Sequence, residues 1–480
     1  MATVSPQARP LTWLAASWEG TDVSRVFSNL AVSGADELIY GRAPVPVPCG
    51  LGLTIGGGQV YPEVNFTLPV IMVDSSNWSA IISHYQEMAA NILKRAIALR
   101  VPGIVLEFEL LPAMTEVPEW GAEITALLKR QLEQAHARHG LPCALRVTPT
   151  DIRDQAKPPF LRKGAPWEQL SKSLEKNIVA GADIISIESV GGKEVHDQGL
   201  LYGDLRAVVF ALGVLAPRDM AWLWKHICEM CAEGGVVPGG DSACGFANTA
   251  MQLAHQKMLP EVLAAVVRAM SAVRSLVAFE QGARGPSKDC AYEGPVIKAI
   301  TGCPISMEGK SATCAHFSPV GNIAAAMCDL WSNESVQNVR LLSGNAPEAY
   351  AELLAYDCRL MNTASARGQA LTLRQWLTES DEWLSPQAAV LSPEATMRIA
   401  RAIVGERDSY GRTVAAGKAA VEVLREGLAS GRLNLVAREL AWLDKIDREL
   451  ELLPQAEDEL RTAVEDTCGG LYYPASYGWA

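Results

Sequence analysis

Basic clusters are what this 480-residue chain most plainly lacks. Lysine and arginine number 42 against 54 aspartates and glutamates, for a formal net charge of −12 and a pI of about 5.2. Neutralising a nucleic-acid backbone takes clustered cations, so no nucleic-acid surface is expected. Also lacking is an apolar run as long as a membrane span. The longest apolar piece near the N-terminus, 11–16, is interrupted by Thr12 and is too short for the apolar core of a secretory signal. No membrane partner is expected, and a cytoplasmic setting is. No Gly-x-Gly-x-x-Gly string follows a strand-like segment, which argues against a dinucleotide-binding sheet. Internal repeats and low-complexity tracts are missing too. The eleven cysteines are odd in number and scattered, which suits reduced thiols and metal ligation better than a disulfide framework.

What is present is a chain that is 49% hydrophobic, ample for a large core. Residues 1–23 form an irregular extension that Trp13 and Trp18 could anchor. Residues 50–66 read as a glycine-rich strand or hairpin. Strand patterns then fall at 103–111, 143–148, 182–189, 236–241, 275–280 and 305–308. Helical spacing fills the intervals at 78–98, 120–139, 167–180, 205–231, 248–270 and 289–300. Such alternation means parallel βα units: the expected fold is a (β/α)8 TIM barrel over 24–345 with its eighth strand missing or unrecognised, and an open doubly wound sheet is the alternative. From 346 to 480 strand patterns vanish. Helices are expected at 371–378, 395–404, 414–428 and 433–452, followed by an aromatic tail packed back on the body.

Three short segments stand out. Ser186-Ile187-Glu188-Ser189-Val190-Gly191-Gly192-Lys193, Gly239-Gly240-Asp241-Ser242-Ala243-Cys244 and Gly285-Pro286-Ser287-Lys288-Asp289-Cys290 each follow or end an apolar run and open into small polar residues. Each offers one strong zinc ligand: Glu188, Cys244 or Cys290. One carboxylate and two thiolates would leave a tetrahedral zinc ion one open position, the pattern of a catalytic rather than a structural site. Spacing alone does not separate this from three unrelated loop-end residues. A barrel, however, brings the ends of successive strands to one face.

These segments resemble the methanol–corrinoid methyltransferases. Ser186 to Val195 is similar to that family's zinc-carboxylate segment, Gly240 to Cys244 with Ala247-Asn248-Thr249-Ala250-Met251 to its first cysteine segment, and Gly285 to Glu293 to its second. Ala144-Leu145-Arg146, Trp120-Gly121-Ala122-Glu123, Met307-Glu308-Gly309-Lys310, Cys314-Ala315-His316 and Trp331-Ser332-Asn333-Glu334-Ser335 add to the likeness, which runs over about 24–363. The resemblance implies a TIM barrel with Zn²⁺ held by Glu188, Cys244 and Cys290 at its C-terminal face. It implies an enzyme that moves the methyl group of methanol to the Co(I) corrinoid of a separate corrinoid protein, with which it would form a hetero-oligomer. The rivals are a related barrel enzyme using another small methylated compound and a docking subunit whose zinc is structural.

Glu188 and Asp241 are the candidate catalytic residues. Asp241, three residues before Cys244, and Glu107 could each exchange a proton with the leaving hydroxide or merely orient neighbours. Hydroxide leaves poorly, so the chemistry needs a Lewis acid, whereas two thiolates and a carboxylate would dull one. Cys228 and Cys231 fall within a helical pattern and read as core, as do Cys303 and Cys328; Cys314 with His316 is a weak metal pair. Glu194-Val195-His196-Asp197-Gln198-Gly199 approaches the cobalt-ligating motif of corrinoid proteins, but its first acid is a glutamate and no flavodoxin-like domain follows. His196 is therefore expected to be an ordinary surface or loop histidine, and no corrinoid is assigned to this chain.

Overall fold

The computed structural model describes residues 25–68, 71–310, 319–336, 340–342 and 344–479. The extension expected at 1–23 and the pair Cys314/His316 lie outside them. An antiparallel hairpin of β1 (Arg42–Cys49) and β2 (Leu53–Gly57) comes first. Seven parallel strands follow: β3 (Tyr61–Thr67), β4 (Ile104–Glu109), β5 (Cys143–Thr148), β6 (Ile184–Ile187), β7 (Val237–Asp241), β8 (Ser306–Glu308) and β9 (Leu330–Val336). They lie in the order β7-β6-β5-β4-β3-β9-β8. The segment 284–286 lies beside β7, in the remaining gap. Arg284 and Gly285 donate their N–H groups to Pro238 and Gly239 of β7 at 2.8 and 2.7 Å. On the other side Gly285, at φ +79°, lies so close to the Pro304 carbonyl that a Cβ would meet its oxygen at 2.5 Å. The fold is a (β/α)8 barrel whose eighth stave is this glycine-proline segment.

Several sequence expectations need correction. The run 275–280 is not a strand but the end of the helix Glu261–Glu280, which is buried all round from Val262 to Phe279. A helix with no solvent face shows no period, so its apolar run imitates a buried strand. The strand that went unrecognised is β9, because Ser332, Asn333, Glu334 and Ser335 give it no apolar signature. The helix expected at 289–300 begins only at Gly294, which frees 287–293 to line the barrel mouth. Two helical stretches, Leu205–Gly234 and Glu261–Glu280, do match a membrane span in length and composition. Their apolar windows are 83% and 100% buried within the fold, so core packing accounts for them.

Side chains alternate along each strand and sort by chemistry. Val64, Phe66, Leu106, Phe108, Leu145, Val147, Ile185 and Ile187 belong to the core shared with the surrounding helices. The opposite parity faces the barrel axis. Its first layer is Tyr61, Val105, Ala144, Ile184, Val237 and Leu330, closed from below by Val47, Cys49, Leu53 and Ile55 of the hairpin. Two residues further along the strands the inward positions turn polar: Glu63, Glu107, Arg146, Ser186, Ser306 and Ser332, all fully buried. Arg146 donates to Glu63 Oε1 at 2.7 Å, to Ser186 Oγ at 2.8 Å, and to the carbonyls of Pro286 and Ser287 at 2.9 Å each. Ser306 completes the other oxygen of Glu63.

The C-terminal helices buttress the barrel. Ala346–Ala366 packs against β3, β9 and the helix Trp78–Ala98, Pro393–Gly405 against Gly294–Thr301, and Ser409–Ala429 against Glu261–Glu280. The tail returns to the body: Tyr472 and Tyr477 are buried, and Trp479 lies between the guanidinium groups of Arg218 and Arg461 at 4.5 and 4.3 Å.

Arg146→Met should destabilise the protein by about 3–5 kcal/mol, since it leaves Glu63 buried without its cation. Glu63→Gln on top of it should recover part of that loss. Denaturant midpoints of the two variants check this; a double variant less stable than Arg146→Met would contradict it.

Candidate metal centre at the barrel mouth

Glu188, Cys244 and Cys290 follow β6, β7 and the closing segment, and the fold brings them together. One ligand atom from each lies within 4.8 Å of the other two. Cys290 Sγ is 2.8 Å from Glu188 Oε1 and 3.0 Å from Ser242 Oγ. Cys244 Sγ accepts from Asn248 Nδ2 at 3.3 Å. Two sulfurs and a carboxylate at this spacing fit a tetrahedral zinc ion with one position left over.

Backbone hydrogen bonds hold the loop after Glu188. The Ser189 N–H reaches Asp241 Oδ1 at 3.3 Å, the Val190 N–H Asp151 Oδ2 at 3.1 Å, and the Gly192 N–H the Tyr477 hydroxyl at 2.9 Å. Gly191 has to be a glycine because a Cβ would come within 2.3 Å of Asp219. Asp219 and Asp151 in turn grip the buried Arg153.

The family model for the methanol-cobalamin methyltransferase B subunit, MtaB, matches residues 24–477. The chain belongs to the MtaB family. It is 37% identical over 438 residues to a methanol–corrinoid protein co-methyltransferase from Methanosarcina barkeri (strain Fusaro / DSM 804), covering 90% of this chain and 94% of that one. A chain in the crystal structure of the methanol:cobalamin methyltransferase complex MtaBC from Methanosarcina barkeri superposes with a TM-score of 0.91 at 34% identity, covering 94% of this chain and 99% of that one.

In this MtaB-family chain the three donors are all held towards their protonated forms. Burial pushes Glu188 up, partly offset by Lys288. Burial and the neighbouring Cys244 push Cys290 well above the usual thiol range. The hydrogen bond with Cys290 pulls Cys244 down, but burial and the charge of Glu188 leave it pushed up to about 11. Three mutually destabilised acids are what a dication would satisfy, because it favours all three anions at once.

A ring of further acids surrounds them, few of which stand out in the sequence. Lys288, 1% exposed, lies 2.6 Å from Asp289, 3.4 Å from Glu107, 3.5 Å from Glu188 and 3.7 Å from Glu109. Burial, then Asp289, drives Glu107 well above the carboxylate range, and burial with Asp289 does the same to Glu308. Glu334, whose side chain is exposed at the barrel mouth, is pushed upward by the crowding around its carboxyl and by Glu109. Glu107, Glu109, Glu308 and Glu334 all occupy inward positions at strand ends, a period-two signal that was readable for β4 and hidden in β8 and β9.

Asp241, a candidate for proton handling, is fully buried and fully engaged. Its Oδ1 accepts from Ser189 N–H, Ser242 N–H (2.9 Å) and Arg274 (3.0 Å), and its Oδ2 from the Trp224 indole at 2.8 Å. Arg274 also reaches the Ser242 carbonyl and the Ser189 hydroxyl at 2.7 and 2.5 Å. The pair therefore ties the residue after Glu188 to the turn that leads into Cys244. His196 is not at the surface: it is buried in the helix Lys193–Tyr202, 3.3 Å from Asp197 and against the Phe246 ring. Cys228 and Cys231 both lie on the helix Ala216–Gly234, and Cys303 and Cys328 are buried.

Asp241→Asn removes one acceptor face from a site with four donors. It should weaken metal binding about 10- to 100-fold together with turnover. Titration against a competing chelator checks this; full affinity with lost turnover would return a proton role to Asp241. Tyr477→Phe removes only the hydroxyl that holds Gly192 and should speed metal release to a chelator several-fold without changing far-UV circular dichroism.

Proposed function

We propose that this chain is a zinc enzyme that transfers the methyl group of methanol to the Co(I) corrinoid of a separate corrinoid protein. The observation that carries it is the Glu188–Cys244–Cys290 cluster set at the barrel mouth of a chain that matches the MtaB family over 24–477. In this reading 24–345 form the catalytic barrel, 346–480 its helical support, and the working unit is a hetero-oligomer with the corrinoid protein. A reducing, cytoplasmic setting fits the ten described cysteines, all of which are free.

The reaction breaks the carbon–oxygen bond of methanol and forms a methyl–cobalt bond. Co(I) supplies the electron pair and becomes formally Co(III), and the departing hydroxide takes a proton to become water. Glu188, Cys244 and Cys290 would hold the metal, and bound zinc supplies Lewis acidity that draws electron density from the alcohol oxygen. The protein's own part is to keep the pocket dry, to orient the donors and to hold a proton nearby. Glu107 suits that last task. Its Oε1 accepts from Thr148 at 2.8 Å, while its buried Oε2 has no hydrogen-bond partner among the described residues. Burial, then Asp289, pushes this carboxyl well above the usual range, which favours a proton that it could pass to an oxygen gaining negative charge.

Purified protein incubated with methanol and Co(I) cobalamin should give the spectrum of methylcobalamin, and should bind one equivalent of zinc. Cys244→Ala or Cys290→Ala should lose most of the zinc and all the turnover while the fold persists. Tightly held stoichiometric zinc in either variant would break the ligand assignment. Methyl transfer from another small methylated compound, with none from methanol, would overturn the substrate. Glu107→Gln should retain zinc and lower kcat about 10²-fold or more.

A further inference from the structure

The two sulfurs have different surroundings, and Cys244 stands at the end of a polar chain. Asn248 closes the π-turn Cys244–Asn248 and points its amide back at the sulfur, Nδ2 to Sγ 3.3 Å. Only the NH2 end of an amide donates, so which end faces the sulfur matters. Arg268 decides it. Its Nη2 lies 3.0 Å from Asn248 Oδ1, and a guanidinium has donors only. Arg268 is itself 2% exposed, bonded through Nε to Gln387 Oε1 at 2.9 Å and seated over the Tyr292 ring at 4.9 Å. Gln387 belongs to the C-terminal helix Pro386–Leu391. A chain thus runs from a C-terminal helix through Arg268 and Asn248 to the sulfur.

We infer that Asn248 tunes Cys244 as a metal donor and that Arg268 is a positioning residue acting through Asn248. The inference rests on Cys244 being a zinc ligand. Three anionic donors exceed the charge of a dication, and two thiolates push electron density onto it, which weakens its pull on an alcohol oxygen. An N–H aimed at a thiolate withdraws part of that density. An amide does so without adding charge, and the guanidinium at its far end polarises it further. Turned over, the same amide would set its oxygen against the sulfur, acceptor against acceptor. Arg268 prevents this because its own donors have to face Oδ1.

The test compares Asn248→Ala, Arg268→Met and the double variant, each loaded with zinc for kinetics and with Co²⁺ for spectroscopy. A sulfur freed of its hydrogen bond gives up an electron more easily. The near-ultraviolet sulfur-to-cobalt band should therefore move to longer wavelength in all three. Zinc should stay at one equivalent, and kcat should fall about tenfold in each single variant. Because Arg268 acts through Asn248, the double variant should be no worse than Asn248→Ala alone. An unmoved band in Asn248→Ala would overturn the inference. So would losses that multiply to about a hundredfold in the double variant, which would make Arg268 an independent structural element. If Arg268→Met does not fold, Gln387→Leu loosens the same guanidinium and should shift the band in the same direction by less; no shift there overturns the role given to Arg268. Wild-type protein that takes up neither zinc nor cobalt would instead bring down the ligand assignment on which all this rests.

Discussion

A guanidinium at the centre of a closed barrel has to be surrounded by acceptors, and Arg146 is built into this protein on those terms. Leaving either Arg146 or Glu63 alone in so dry a place would be very costly, so the strands that supply partners have one permissible register. Glu63 comes from β3, Ser186 from β6, and the Pro286 and Ser287 carbonyls from the stretch that closes the barrel. The same contacts therefore hold two of the three loops that bear the clustered residues, those of Glu188 and Cys290. Beneath them the hairpin and the apolar inward layer seal the barrel against water. Above them the inward positions carry the chemistry.

That upper layer holds more acids than cations. Lys288 lies among Glu107, Glu109, Glu188 and Asp289, with Glu308 and Glu334 nearby. Burial pushes Glu107 and Glu308 well above the usual carboxylate range, which favours their proton-holding forms. Low polarity also strengthens each remaining charge, so a cation placed between Glu188 and the two cysteines would be felt strongly by a small bound alcohol. The site is acidic in both senses: rich in carboxyl groups and arranged to accept a Lewis acid.

Much of the support for this site comes from far along the chain. Arg274 and Arg268 project from one buried helix, the first to the loops that bear Glu188 and Cys244, the second to Asn248. Tyr477, from the aromatic tail, reaches the loop after Glu188. The helical C-terminal segment is thus in direct contact with groups that hold the loops around Glu188 and Cys244. The family match likewise extends to residue 477, past the last strand.

The amino-acid sequence determined the alternation of strands and helices, the family, and the three residues that the fold gathers at the barrel mouth, because period-two and period-3.6 patterns and short motifs are local properties. Trp78–Ala98 and β5 fall where their patterns place them. Local pattern misled at Ser275 to Glu280, where a helix buried on every side loses its period, and at β9, where inward-facing polar residues erase the apolar run. Tertiary structure alone decided which acids meet. Asp241 was legible as a carboxylate near Cys244, yet only packing shows its oxygens taken up by Arg274, Trp224 and two backbone N–H groups. Lys288, Glu308 and Glu334 acquire their roles from neighbours on other strands, and Arg268 from a turn 20 residues away. Such roles are set by distances across the barrel, and no window of adjacent residues contains them.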